Sequence, residues 1–169
     1  MPEIPKAPKY SLSDIVYGVG QVETGGQPNP FIRTKVKPKD NLSTAYGPHQ
    51  ITATKLKDYL NRYSSKLSTS SKQYIPAMIN QSKLFRQYDA GTLKDKRFGY
   101  GGEGLLGRTP KQKGNYRKVV QDLMRIDWND RAKGNVDKFV KLWYGHSDPN
   151  KIAAYKAKLI KAMQSRSAK

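Results

Sequence analysis

Apolar residues recur at helical spacing over most of this chain, and that period leaves little room for strands. Leu12, Ile15, Val16, Val19 and Val22 form one stripe within Ser11 to Glu23. Ser11 is placed to cap that helix, with Asp14 in its first turn and Gly25-Gly26 to stop it. The same reasoning predicts helices from Thr52 to Leu67, Tyr74 to Tyr88, and Asn115 to Ile126. One or two more are expected from Asp127 to Tyr144, ended by Gly145. A last helix opens at Asp148-Pro149, with Asp as cap and Pro at the first position, and carries Ile152, Tyr155, Leu159, Ile160 and Met163. Helical stripes of this kind are core faces first and functional features second.

Between these helices lie two stretches of another character. Gln27 to Ser43 holds Pro28, Pro30 and Pro38, and Asp89 to Gly114 is rich in glycine. Residues 1–10, with Pro2, Pro5 and Pro8, read as an extended tail. Residues 11–163 read as one domain, and 164–169 as a basic C-terminal tail. A chain of 169 residues is long enough for a single core.

The absence of cysteine removes disulfides and thiolate chemistry. No apolar run is long enough to span a membrane, and the N-terminus has no secretory signal pattern. With 32 Lys and Arg against 13 acids, the net charge is +19, which favours a polyanionic partner: nucleic acid, an anionic wall polymer or an acidic membrane surface. The cations are spread along the chain, which reads as a general field rather than a shaped groove. No helix-turn-helix, zinc or ribonucleoprotein motif accompanies them. Gly99, Gly101 and Gly104 spell a formal GxGxxG, but no apolar strand precedes it and no helix follows promptly, so a dinucleotide site is rejected. The two histidines, His49 and His146, are a poor start for a catalytic zinc, which takes about three protein ligands. Neither metal nor cofactor is expected.

Only three acids are glutamates, and Glu23 and Glu103 both lie beside glycines. Glu23 falls where the first helix ends. The macrodipole disfavours a carboxylate there, and partial burial would add to the effect, so both influences raise its pKa. A carboxylic acid kept protonated near neutral pH is what glycosidic cleavage needs as general acid. The plainer reading is a solvated residue in a frayed last turn.

Glu23-Thr24-Gly25-Gly26, followed some twenty residues later by Thr44-Ala45-Tyr46-Gly47-Pro48-His49-Gln50-Ile51, resembles the lytic transglycosylase and goose-type lysozyme superfamily. That family has a glutamate and small residues at a helix end, then a Gly-Ala-x-Gly-Leu-Met-Gln turn. Here Thr44 stands for the first glycine, Pro48 for the leucine and His49 for the methionine. The likeness covers about thirty residues, with a weaker echo at Leu142-Trp143-Tyr144-Gly145.

The resemblance implies a mainly α, lysozyme-like α+β fold, with six or seven helices around a cleft walled by a small sheet or long loop. It implies a peptidoglycan-degrading enzyme that cleaves the β-1,4 bond between N-acetylmuramic acid and N-acetylglucosamine. Glu23 would be general acid and base, in a lytic transglycosylase rather than a hydrolase. A hydrolase would need a second carboxylate, for which Glu103 and Asp40 are the candidates. Tyr46 and Gln50 would bind sugar or orient Glu23, or simply stabilise their turn. Tyr144 matches the family tyrosine whose hydroxyl faces the glutamate, or packs its ring in the core. Tyr100 lies in a Tyr-Gly-Gly segment that relatives place along the cleft. Lacking an export signal, such an enzyme would reach the wall as a bacteriophage virion or lysis protein, beside other virion proteins. The competing class is a catalytically silent, basic virion protein that binds DNA or partner subunits.

Overall fold

Six α-helices make up most of the described residues of the computed structural model, which are 9–25, 29–31, 33 and 46–167. They are α1 (Leu12–Thr24), α2 (Ala53–Arg62), α3 (Thr69–Asp89), α4 (Pro110–Arg125), α5 (Val136–Tyr144) and α6 (Pro149–Ser167). Among the described residues no strand is present, and the only β pairing is an isolated antiparallel bridge between Tyr46 and Ile51. The protein is therefore mainly helical. Most of the 27–43 loop, where a small sheet is expected, lies outside the described residues.

The chain divides into two units, Met1–Gly25 with Leu123–Lys169, and Gly26–Asp122. In the first unit, α1 begins as its sequence predicts. Ser11 Oγ accepts the Asp14 amide and the Asp14 carboxylate accepts the Ser11 amide, a capping box. The Ser11 amide, followed by Arg166, holds the Asp14 carboxyl below its ordinary value. Gly25, at φ +59°, closes the helix in the left-handed conformation that glycine adopts without a Cβ penalty.

α1 packs on α6 through Ile15, Gly18 and Val19 against a ridge of Tyr155, Leu159 and Met163, spaced four apart. Each fully buried apolar side chain of this kind contributes about 1.5–3 kcal/mol. Gly18 sets the approach: a Cβ there would lie 2.8 Å from Leu159 Cδ1 and from Met163 Cγ. α5 joins them, with Phe139 stacked on Trp143 and edge-on to Trp128. Trp128 belongs to a π-helical turn, Ile126–Arg131, whose Asp127 carboxylate is fully buried and accepts from Arg131 at 3.0 Å. Tyr10, which the sequence assigns to the tail, is buried.

In the second unit α2 is shorter than its apolar stripe. It ends at Arg62, and a 3-10 turn, Ser64–Lys66, replaces its predicted last turn. α3 begins five residues before the predicted Tyr74, which puts Pro76 inside the helix rather than in its first turn. Ser68 accounts for the earlier start. Its hydroxyl accepts the Ser71 amide, while the buried Asp122 carboxylate accepts both the Ser68 amide at 2.8 Å and its hydroxyl at 2.7 Å. Pro76 alone favours a first-turn position, where its missing N–H costs nothing. The doubly held Ser68 cap outweighs that preference.

α4 likewise begins at Pro110, not Asn115. Thr109-Pro110-Lys111-Gln112 is a capping box, in which Thr109 Oγ1 accepts the Gln112 amide and Gln112 Oε1 accepts the Arg108 and Thr109 amides. α5 ends at Gly145 and α6 opens under Asp148, whose carboxylate accepts the Asn150 amide at 2.9 Å. α6 continues through 164–167, which the sequence assigns to a tail.

Substituting Gly18→Val forces carbon into the α1–α6 contact. The expected loss is about 1–3 kcal/mol, the usual cost of overpacking, read as a lower thermal midpoint by circular dichroism. An unchanged midpoint would show that the helices are not held at this separation.

Candidate functional site

Glu23 stands in the last turn of α1, partly buried. The Tyr155 hydroxyl donates to its Oε1 at 2.9 Å. Tyr155 is itself buried, as the first member of the α6 ridge, so the packing of α6 on α1 delivers the phenol to the carboxyl. Behind it Tyr144 stacks at 4.3 Å with an interplanar angle of 19°, and His146 lies 4.7 Å beyond Tyr144. Burial first, then the Glu23 charge and hydrogen bond, and then Tyr144 raise the Tyr155 pKa far above its ordinary value. The phenol is a permanent donor at any physiological pH.

The tyrosine that meets Glu23 is thus Tyr155, whereas the sequence pattern assigns that place to Tyr144. Tyr144 acts one layer back, as the wall on which Tyr155 rests. The Tyr155 stripe reads as core from sequence, and it is core. Nothing local marks one member of that stripe as the partner of a residue 132 positions away.

The second unit gathers the other sequence candidates. Tyr46 is buried, and its hydroxyl donates to the Glu103 carbonyl at 2.6 Å. Burial, the largest cause, raises its pKa despite a hydrogen bond with Gln81. Gly47, at φ +79°, turns the chain, and a Cβ there would lie 2.5 Å from the Tyr116 ring. The Tyr116 hydroxyl accepts the His49 amide at 2.9 Å and donates to the Tyr46 carbonyl at 3.3 Å. Gln50 returns its side-chain amide to the Gly47 carbonyl at 2.9 Å. Gln50 therefore holds its own turn together, while Tyr46 ties that turn to the glycine-rich stretch.

Glu103 is partly buried, with Asn29 Nδ2 3.4 Å from its Oε1. Tyr100 is 41% exposed, and its ring lies 4.7 Å from the Arg33 guanidinium. Asp40, Thr44 and Ala45 lie outside the described residues.

Two residues that the sequence does not single out organise the glycine-rich stretch. Arg33 is 6% exposed and donates to both carboxylate oxygens of Asp89 and to the Phe98 carbonyl. Its guanidinium is held between the rings of Phe85 and Tyr100. Its backbone pairs with Gly101 and Gly102. Gln81, buried on α3, accepts the Leu105 and Leu106 amides at 2.6 and 3.0 Å. Tyr74 reaches the Leu106 carbonyl at 3.4 Å, and burial pushes its pKa up to about 12. The glycines are needed because this backbone runs close against side chains. A Cβ at Gly104 would meet Gln81 at 2.5 Å, and one at Gly107 would meet the Tyr46 hydroxyl at 2.3 Å. Among the described residues no three His, Cys, Asp or Glu side chains gather to hold a metal ion.

Arg33→Ala leaves the Asp89 carboxylate and the Phe98 carbonyl without their donors. The expected cost is about 3 kcal/mol, read from urea unfolding, with only partial recovery in Arg33→Lys because lysine lacks the bidentate fork. A wild-type midpoint in Arg33→Ala would show that this clamp adds nothing to stability.

Tyr46, Tyr74 and Tyr155 all have raised folded-state pKa values. The unfolded chain releases these protons near pH 10 while the folded chain keeps them, so stability is full below that pH and falls as pH rises above it. The thermal midpoint should therefore drop between about pH 10 and 12, and drop less steeply in Tyr74→Phe. Parallel curves for the two proteins would contradict this.

No protein-family model, curated protein or solved structure matches this chain.

Proposed function

We propose that this protein cleaves peptidoglycan glycan strands between N-acetylmuramic acid and N-acetylglucosamine, with Glu23 as the proton-transferring group. The observation that carries this reading is the Glu23 carboxyl at a helix end, bonded by a buried phenol at 2.9 Å. That bond limits the orientations open to the carboxyl, as a proton donor to a leaving oxygen requires. Burial and the Glu23 charge raise the Tyr155 pKa, which suits the phenol to positioning. Glu23 is left to move the proton and Tyr155 to position it.

In the proposed reaction the Glu23 carboxylic acid protonates the bridging oxygen as the C1–O bond breaks, through an oxocarbenium-like transition state. The resulting carboxylate then takes the proton from the muramoyl 6-hydroxyl, whose oxygen closes on C1 to give a 1,6-anhydro sugar. One carboxylate serves both steps, which is why we favour a lytic transglycosylase. A hydrolase would instead activate water with a second carboxylate, and Glu103 or Asp40 is assigned to that role only in that case. Tyr100, 41% exposed, is the better sugar-stacking candidate, since the Tyr46 hydroxyl and the Gln50 amide already bond to backbone carbonyls. Delivery to the wall as part of a virion belongs to the same proposal.

The second reading, a silent basic structural protein, is favoured by the +19 charge alone. Mass spectrometry of digested peptidoglycan separates the two. Wild type should release anhydromuropeptides, and Glu23→Gln should lose about 10²–10⁴-fold in rate, the usual worth of a general acid. Tyr155→Phe keeps the ring but removes a hydrogen bond to a charged group, worth about 1.5–3 kcal/mol, so kcat should fall roughly ten- to a hundredfold with KM little changed. Full activity in Glu23→Gln would remove Glu23 from the catalytic role. Reducing-end products would replace transglycosylation by hydrolysis, and no products from folded wild type would favour the structural protein.

A further inference from the structure

Within the second unit, α2 and α3 enclose a groove of about 370 Å³. Lys57 lines it from α2, and Lys83 and Arg86 from α3, with Thr54 and Asn80 as neutral partners. Pro76, Asn80 and Lys83 follow one another at helical spacing, so one face of α3 forms the wall. Among the described residues no carboxylate lines the groove. None of its three cations forms an ion pair among the described residues, and all three residues are exposed. Four arginines, Arg33, Arg97, Arg131 and Arg166, each have an aspartate partner instead.

Three neighbouring cations without a counter-charge among the described residues repel one another, and an anion relieves that repulsion. We propose that this groove binds the phosphodiester backbone of duplex DNA without reading its sequence. The neutral hydroxyl of Thr54 and amide of Asn80 suit phosphate oxygens, which accept from such donors as readily as from lysine. Among the described residues no aromatic side chain lines the groove, so it offers no stacking platform of the kind that single strands use. The net charge of +19 supplies the attractive field that brings a polyanion to it. This site is independent of Glu23, and its test does not depend on glycan cleavage.

A protein this basic binds DNA weakly through charge alone, so the test must compare positions. The triple variant Lys57→Gln, Lys83→Gln, Arg86→Gln is set against Lys151→Gln, Lys158→Gln, Lys161→Gln on α6, which removes equal charge from exposed residues. Binding of a fluorescein-labelled duplex is followed by anisotropy as salt rises. Removing one cation that neutralises a phosphate should make the logarithmic salt dependence shallower by about 0.9. For three such cations, the advantage of wild type over the groove variant then shrinks about fortyfold between 50 and 200 mM salt. The α6 variant should change that slope by less than half as much. Should the triple variant not fold, Lys57→Gln and Lys83→Gln singly are each expected to remove about 0.9 of slope. Equal losses in the groove and α6 variants would overturn the proposal, as would a wild type that does not bind duplex at low salt. Equal affinity of wild type for a glycerol-phosphate polymer would overturn the assignment to DNA.

Discussion

The close packing of α1 on α6 at Gly18 is the contact on which the Glu23 arrangement depends. A hydrogen bond between residues 132 positions apart exists only because two helices from opposite ends of the sequence lie at one fixed separation. Leu159 and Met163 occupy the space a side chain at position 18 would take, and Tyr155 follows one turn earlier on the same ridge. The catalytic proposal thus rests on an apolar contact. The carboxyl and the phenol are polar passengers on a surface organised by burial, and Tyr144 stacked on Tyr155 removes the freedom that the phenol would otherwise have.

The second unit solves a different problem. Among the described residues its glycine-rich backbone has no sheet to satisfy its amides and carbonyls, and buried groups of that kind must find partners. Side chains take the place of strands. Gln81 accepts two successive amides, Arg33 holds a carbonyl and exchanges backbone bonds with Gly101 and Gly102, and the Tyr46 hydroxyl takes the Glu103 carbonyl. Arg33 can be buried because Asp89 accepts two of its hydrogen bonds and aromatic rings cover its faces. Such a network is unforgiving, since each donor removed leaves a buried acceptor unsatisfied.

The distribution of charge sets the two proposals apart. A strongly cationic protein attracts polyanions wherever its field extends, but ion pairing withdraws several of its arginines from that role. Among the described residues the cations between α2 and α3 have no such partner. Glu23 is held in another way, by a hydrogen bond from an un-ionised phenol. Such a donor bonds one oxygen of the carboxyl and limits the orientations open to it.

Features that depend on neighbouring residues are legible in the chain itself. Ser11 with Asp14, Asp148 with Pro149, and Gly145 mark helix ends through bonds spanning a few positions, and the structure has them where the sequence predicts. The Thr109–Gln112 capping box is equally local, but the surrounding glycines obscure it. The start of α3 is not local, because Ser68 is fixed by Asp122 from another helix. Tyr155 rather than Tyr144 at Glu23, and Arg33 and Gln81 as the supports of the glycine-rich stretch, are likewise decided by contacts between distant segments. Sequence determined that this protein is mainly helical, where α1, α2 and α6 begin and where α1 and α5 end, because caps and apolar periodicity act within one or two turns. Tertiary structure alone decided which tyrosine meets the glutamate and which polar groups are buried together, because those choices depend on how closely two helices can approach.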